Sequence, residues 1–306
     1  MKASVMIAAS VLSLSLTGLA GAQTKNLKMM TSNPGHLKMG LVAIKCVYSD
    51  TADPVANKNN IQANLERHLY FIDKLAAEGC EFIGFPEASI NGYHYSPNMT
   101  WLKLDGPEVG VLAKKAVEKG IYISAGIAEE DAKGKRWETQ FVIGPDGKIA
   151  GWHHKNFLTK EKGLIEASTD HNVFEVKGTK MGIAICADGS NPTNLMALAE
   201  GGAKIIYGPH ANTTGGTLAG WYNFRKGWSG PEGMMAKLKV YGALHNFAGL
   251  YNPEFKPPTA TDSNSGFASG AWFIGPDGAT LAQMPTSSQK GDSKEFVLVY
   301  NVPIGK

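Results

Sequence analysis

Cysteine is scarce in this chain, three among 306 residues, and no Cys-x-x-Cys occurs, which argues against a thiol-redox function. The odd count leaves at least one thiol without an intramolecular partner. Charge of one sign is scarce too. The formal net charge is +3 and no Lys/Arg block stands out, so neither nucleic acid nor an anionic membrane surface is an expected partner. Metal-ligand spacing is missing: His153 and His154 are adjacent, with no carboxylate or Cys at helical ligand spacing, and no metal site is expected. No Pro/Ser/Gly-rich linker divides the chain. With 43% hydrophobic and 19% charged residues it has an ordinary globular balance, sufficient for one large core. The expected partner is a small neutral or weakly charged molecule.

Long apolar runs are also wanting. The segment from Ala3 to about Leu16 is too short and too Ser-rich for a membrane span. It follows Lys2 and precedes Ala20-Gly21-Ala22, the order of an export signal with a small-x-small cleavage site. The reading is a signal peptide over residues 1–22, removed on export to the periplasm or beyond, a mobile polar leader over 23–38, and a single domain over 39–306. In an exported protein a free thiol is a liability unless buried or used. Cys46 and Cys80 fall at neighbouring predicted strands, and whether they pair depends on geometry; Cys186 is the candidate for the unpaired thiol.

What the chain does have is a regular alternation of elements. Met39 to Tyr48 reads as a strand, Ile61 to Ala76 as a helix stopped by Gly79, and Glu81 to Phe85 as a second strand ending in Pro86-Glu87. A helix starts at Pro107 and closes at Gly120, and a strand follows over Ile121 to Ile127. Phe141-Val-Ile and Lys148 to Trp152, joined by Gly144-Pro-Asp-Gly147, form a hairpin that leads into His153-His154-Lys155. Met181 to Asp188 reads as a buried strand, Leu195 to Ala199 as a short helix, Ala203 to Tyr207 as a strand and Pro231 to Asn246 as a helix. Strands over Phe247 to Tyr251, Gly270 to Ile274, Thr280 to Gln283 and Phe296 to Val302 complete the chain. Strand, crossover helix, strand points to a layered α/β arrangement. The second hairpin is joined by Gly275-Pro-Asp-Gly278, the same tetrapeptide as the first, which suggests two pseudo-equivalent halves.

Three polar residues stand at strand ends, where chemistry is commonly mounted. Cys186 closes an apolar run and meets the turn-rich Asp188-Gly-Ser-Asn-Pro192. On its own such a Cys is ordinarily a small core hydrophobe. Glu87 ends an apolar strand, an expensive place for an unpaired carboxylate. Lys155 follows Trp152 and two histidines, and alone reads as a surface amine.

Together, Phe85-Pro-Glu87, His154-Lys155 and Gly182-Ile-Ala-Ile-Cys186-Ala-Asp188 resemble the Glu, Lys, Cys signature of the nitrilase superfamily of carbon-nitrogen hydrolases. The order and the spacings match, 68 residues from Glu87 to Lys155 and 31 from Lys155 to Cys186, and the resemblance spans roughly Leu37 to Val302. It implies a four-layer α-β-β-α sandwich of two similar halves, a homo-oligomer, and no metal or organic cofactor. It also implies an amidase cleaving a linear amide through a cysteinyl thioester, with a nitrile as the rival substrate. Cys186 is then the nucleophile. Lys155 lowers its pKa and offsets the charge of a tetrahedral intermediate, and Glu87 moves the protons. Many relatives carry a second Glu after the Lys, and Glu161, 25 residues before the Cys, is the candidate, with Glu166 its rival. Trp221, Tyr222 and Trp228 are candidate pocket residues, and Pro253 to Ser265 is a candidate cover for the site. From a different class comes a catalytically silent binding protein that keeps the fold.

Overall fold

The computed structural model describes residues 35–212, 225–249, 267, 269–284 and 294–305. The expected signal peptide and most of the expected leader lie outside the described residues. Among those described, the strands form two sheets of six. In the first, β1 (His36–Ala43), β2 (Phe82–Gly84) and β3 (Tyr122–Glu130) run parallel, and β4 (Arg136–Ile143) and β5 (Ile149–His154) extend it antiparallel. In the second, β7 (Thr179–Ile183), β8 (Ile205–His210) and β9 (Tyr241–Asn246) run parallel, and β10 (Ala271–Ile274) and β11 (Thr280–Met284) extend it antiparallel. The other edge of each sheet is an antiparallel strand, β12 (Phe296–Pro303) beside β1 and β6 (Val173–Val176) beside β7.

The two halves repeat strand by strand. Met39 and Gly40 stand opposite Phe82 and Ile83, as Met181 and Gly182 stand opposite Ile205 and Ile206. The twin hairpin turns close alike: Gly144 and Gly275 N–H donate to the Lys148 and Ala279 carbonyls, each at 2.8 Å. Gly147 and Gly278 have φ of 77° and 82°, a left-handed backbone that glycine adopts without steric cost.

Three apolar clusters define the layers. One joins the first sheet to α1 (Pro54–Ala77) and α2 (Pro107–Lys119), through Ile61, Leu65, Ile72, Leu75, Val109 and Leu112. A second is made of strand and strand-end residues of both sheets, among them Met39, Leu41, Phe82, Met181, Ile183 and Phe273, so the sheets pack face to face. A third joins the second sheet to α3 (Pro192–Glu200) and α4 (Met234–Leu238), through Leu195, Leu198 and Met235. The order of layers is α-β-β-α.

Several boundaries depart from the expected pattern. The leader expected to run to Lys38 gives way to β1 at His36, because His36, Leu37 and Lys38 pair with Pro303, Val302 and Asn301. Helix α1 begins at Pro54, one residue after its cap, where the Asp53 carboxylate accepts from Val55 N–H at 2.9 Å. Its inner face carries Asn57, Asn64 and His68, polar residues that blur the helical period. The helix expected over Pro231 to Asn246 is incorrect: α4 stops at Leu238, Lys239 turns left-handed at φ 57°, and Tyr241–Asn246 becomes β9. Its apolar residues fall at helix-like spacing, but a place between β8 and β10 overrides local preference. Strand β6 carries no signal in the sequence beyond its own four residues.

Candidate active site

Glu87, Lys155 and Cys186 come from three strand ends, and each end is held by its own set of hydrogen bonds. Beyond β2, the Phe85 carbonyl accepts from Gln140 Nε2 at 3.1 Å and from the Tyr207 hydroxyl at 2.8 Å. Ala88, next to Glu87, has φ 46°, strained for a residue with a side chain. The inner face of α1 secures this bend, with Asn64 Nδ2 donating to the Ile90 carbonyl at 2.9 Å and His68 Nε2 beside Ser89 Oγ at 2.9 Å. The polar residues that spoil the period of α1 thus fix the backbone around Glu87.

Cys186 lies where the strand gives way to a loop, as expected, and opens a 3-10 turn, Cys186–Ser190; its φ of 45° is also left-handed. Strain of this kind collects at functional sites. The hub of the turn is Asp188, fully buried. Its Oδ2 accepts from Ile185 N–H at 3.1 Å and from His153 Nε2 at 3.0 Å, and its Oδ1 from Asn156 and Phe157 N–H at 3.0 and 2.8 Å. One carboxylate therefore ties the Cys186 turn to the residues on both sides of Lys155.

Lys155 itself is fully buried among three carboxylates. Its ammonium donates to Glu87, to Glu161 at 2.6 Å and to Glu138 at 3.3 Å, and lies 5.5 Å from the centre of the Tyr93 ring. The carboxylate oxygens lie within 4.8 Å of one another, and the cation they enclose is this ammonium. Glu161 is held further by the Tyr93 hydroxyl and by Thr159 N–H at 2.7 Å. Its rival Glu166 is on the surface, paired with Lys135 at 2.9 Å. Two members of the cluster have no sequence signal of their own. Glu138 lies in β4 beside Thr139 and Gln140, a polar run in a buried strand that was the only hint, and Tyr93 lies in the loop past Glu87.

The charges divide by environment. Burial alone would raise Glu161, but Lys155 and Tyr93 outweigh it and hold the carboxyl at about 2. Burial alone would depress Lys155, but Glu138 and Glu87 hold the ammonium well above its ordinary range. The Cys186 thiol is pushed well up by burial and by Glu87, against the opposing pull of Lys155 and of the Ala211 N–H. The expected lowering by Lys155 is present and loses to desolvation. A thiol raised in this way needs a base to become a thiolate.

The other expectations fall elsewhere. Trp228 is a core residue, not a pocket wall: it packs with Leu195, Leu244 and Trp272, and its indole N–H donates to the Gly189 carbonyl at 2.9 Å. Trp221, Tyr222 and Pro253 to Ser265 lie outside the described residues. Cys46 and Cys80 are free thiols, as is Cys186. His154 turns away from the cluster to Glu129 at 3.2 Å and stacks on Trp137, with centroids 4.5 Å apart.

A family model described as carbon-nitrogen hydrolase matches residues 50–298. Nitrilase 2 of Arabidopsis thaliana is 29% identical over 177 residues, 50% of this chain and 52% of that protein. An omega-amidase of Xenopus tropicalis is 29% identical over 160 residues, 48% of this chain and 58% of its own. The chain thus spans about half the length of the curated relatives it matches. An amidase from Nesterenkonia sp. has the same fold, with a TM-score of 0.70 at 17% identity over 90% of this chain and 94% of its own. In one structure of that amidase, the acetamide moiety of fluoroacetamide is added at the active site cysteine.

Proposed function

The chain belongs to the carbon-nitrogen hydrolase family, and from that premise we propose that it hydrolyses a small linear amide through a thioester on Cys186, releasing ammonia or an amine. The observation that carries this reading is the Lys155 ammonium enclosed by Glu87, Glu138 and Glu161 beside a thiol on a left-handed turn. Glu87 takes the proton from Cys186, and the thiolate adds to the amide carbonyl carbon. Lys155 and the Ala211 N–H, both acting on the thiol's surroundings, stabilise the negative charge as it passes to the carbonyl oxygen. The C–N bond breaks as Glu87 returns the proton to nitrogen, and ammonia leaves the acyl-enzyme. Glu87 then deprotonates a water that attacks the thioester, and the proton returns to sulfur as the carboxylic acid departs. Glu161 keeps Lys155 charged and in place.

A nitrile would use the same residues by way of a thioimidate, and both nitrilase and omega-amidase names occur among the relatives. An ammonia-release screen over aliphatic amides, aromatic amides, carbamoyl compounds and nitriles tests the choice. Fastest turnover of an amide supports the reading. Turnover of nitriles alone transfers it to the nitrilase reaction, and folded protein inert to all four leaves a silent binding protein.

We also propose that the enzyme works outside the cytoplasm, on the strength of Lys2, the apolar Ala3–Leu16 and Ala20-Gly21-Ala22. N-terminal sequencing of exported protein should begin near Gln23, and an intact Met1 would overturn this. Self-association is the matching proposal for assembly, tested by light scattering, where a monomer mass would reject it.

A further inference from the structure

The cluster around Lys155 has more carboxylates than its single ammonium can balance. Glu87, Glu138, Glu161 and Lys155 are each no more than 1% exposed. Three carboxylates against one cation leave a surplus of negative charge in a buried site, where like charges cannot all stay ionised. The hydrogen bonds are unequal. Glu161 takes the Lys155 ammonium at 2.6 Å and is also served by Tyr93, Thr159 N–H at 2.7 Å and Thr159 Oγ1 at 3.2 Å. Among the described residues Glu138 takes the ammonium at 3.3 Å and otherwise meets the side chain of Glu87, and is the least compensated of the three. Among the described residues, Glu138 Oε1 and Glu87 Oε2 are both buried without a hydrogen-bond partner. One proton on Glu138 lowers the surplus from two negative charges to one and supplies the donor that this pair of carboxyl groups lacks.

Resting on the assignment of Glu87 as the base, we propose that Glu138 is a positioning residue: a carboxylic acid that donates its proton to the Glu87 carboxylate and so holds Glu87 ready to receive the proton of Cys186. Its surroundings allow this. The groups that face it are Glu87 beyond β2, Tyr93 and Tyr95 in the following loop, Lys155 beyond β5 and Glu161 after that. Its strand neighbour Thr139 instead joins Glu129 and His154 in a separate group. Burial, then the charge of Glu87, pushes the Glu138 carboxyl well above its ordinary value against the pull of Lys155. No chemical step passes through Glu138. Its proton stays within the pair while Glu87 cycles, and losing it at high pH leaves two adjacent carboxylates that disorder the base and oppose a thiolate.

Infrared spectra of the wild type and of Glu138→Gln test this with the protein alone. The difference at neutral pH should contain the carbonyl stretch of a protonated carboxylic acid, and in the wild type that band should fade as pH is raised. Ammonia release from the best amide of the screen supplies the second reading. E138Q, whose amide N–H keeps a donor on Glu87, should lose about 3- to 10-fold, and Glu138→Leu, with no donor, about 100-fold. The alkaline limb of the wild-type pH profile should follow the fading band and move up by at least about one pH unit in E138Q. A spectrum without the Glu138-dependent band overturns the proposal. So does a folded E138Q as inactive as Glu87→Gln, because Glu138 would then act as an ionised base. If no amide or nitrile is turned over, the reading of the reaction fails while the infrared band still decides where the proton sits.

Discussion

Asp188 accepts a hydrogen bond from the main-chain N–H of Asn156 at 3.0 Å, and through this contact the turn that carries Cys186 is joined to the segment that carries Lys155. The same side chain also takes the N–H groups of Phe157 and Ile185 and the His153 ring. Asp188→Ala leaves these buried donors unsatisfied and should cost about 3–5 kcal/mol in urea unfolding. Asp188→Asn, which keeps an acceptor for Asn156 and Phe157, should recover part of it. A loss below about 1 kcal/mol for the Ala variant would show that the junction does not depend on this carboxylate.

Glu161 and Glu166 lie five residues apart in very different surroundings, one buried on Lys155 at 2.6 Å and the other exposed on Lys135 at 2.9 Å. Glu161→Gln should lower kcat for ammonia release by about 100-fold or more, while Glu166→Gln stays within about twofold. Equal losses would mean that the difference in burial has no bearing on turnover.

The bend at Ala88 is possible because Gly126 stands behind it without a side chain. A Cβ at Gly126 would lie 2.3 Å from the Ala88 nitrogen and 2.6 Å from Gln140 Oε1. Gly126→Ala should therefore push the Glu87 segment, reducing kcat by about 10-fold or more at a stability cost of about 1–3 kcal/mol. Unchanged kinetics in the folded variant would show that Glu87 is not placed by this contact.

The layered fold was legible where local chemistry and tertiary structure agree. Gly144-Pro-Asp-Gly147 and Gly275-Pro-Asp-Gly278 dictate their turns, and Pro107 and Gly120 bracket α2, whose cap is left-handed at Gly120, φ 66°. Tyr241–Asn246 was misread because its apolar spacing suits a helix, and only pairing with Ile205–His210 makes it a strand. Glu87, Lys155 and Cys186 could be named because their order and spacing at strand ends resemble a family signature, and Glu161 because the same resemblance implies a second Glu. Glu138 and Tyr93 could not, because what marks them is a contact with Lys155 or Glu161 that exists only after folding.

Acid should weaken the fold through its buried histidines. Burial lowers His68 and His245 to about 4 and His210 to about 3, from an ordinary 6.5. Between those values the unfolded chain binds protons that the folded protein refuses, so the stability is present above pH 6.5 and is lost as pH falls toward 4. Glu161, held at about 2 against an ordinary 4.5, adds a further loss below that range. The urea midpoint should fall over this interval, and His245→Gln should reduce the slope by about 1.4 kcal/mol per pH unit. A flat midpoint would contradict the burial of these rings.

Ammonia release by Cys186→Ala is the measurement that bears most directly on the role of the thiol. With the fold verified by circular dichroism, turnover of the best amide should fall by at least about 10⁴-fold, as expected on removing a covalent nucleophile. Turnover retained within about tenfold of the wild type would mean that the thioester at Cys186 does not lie on the reaction path.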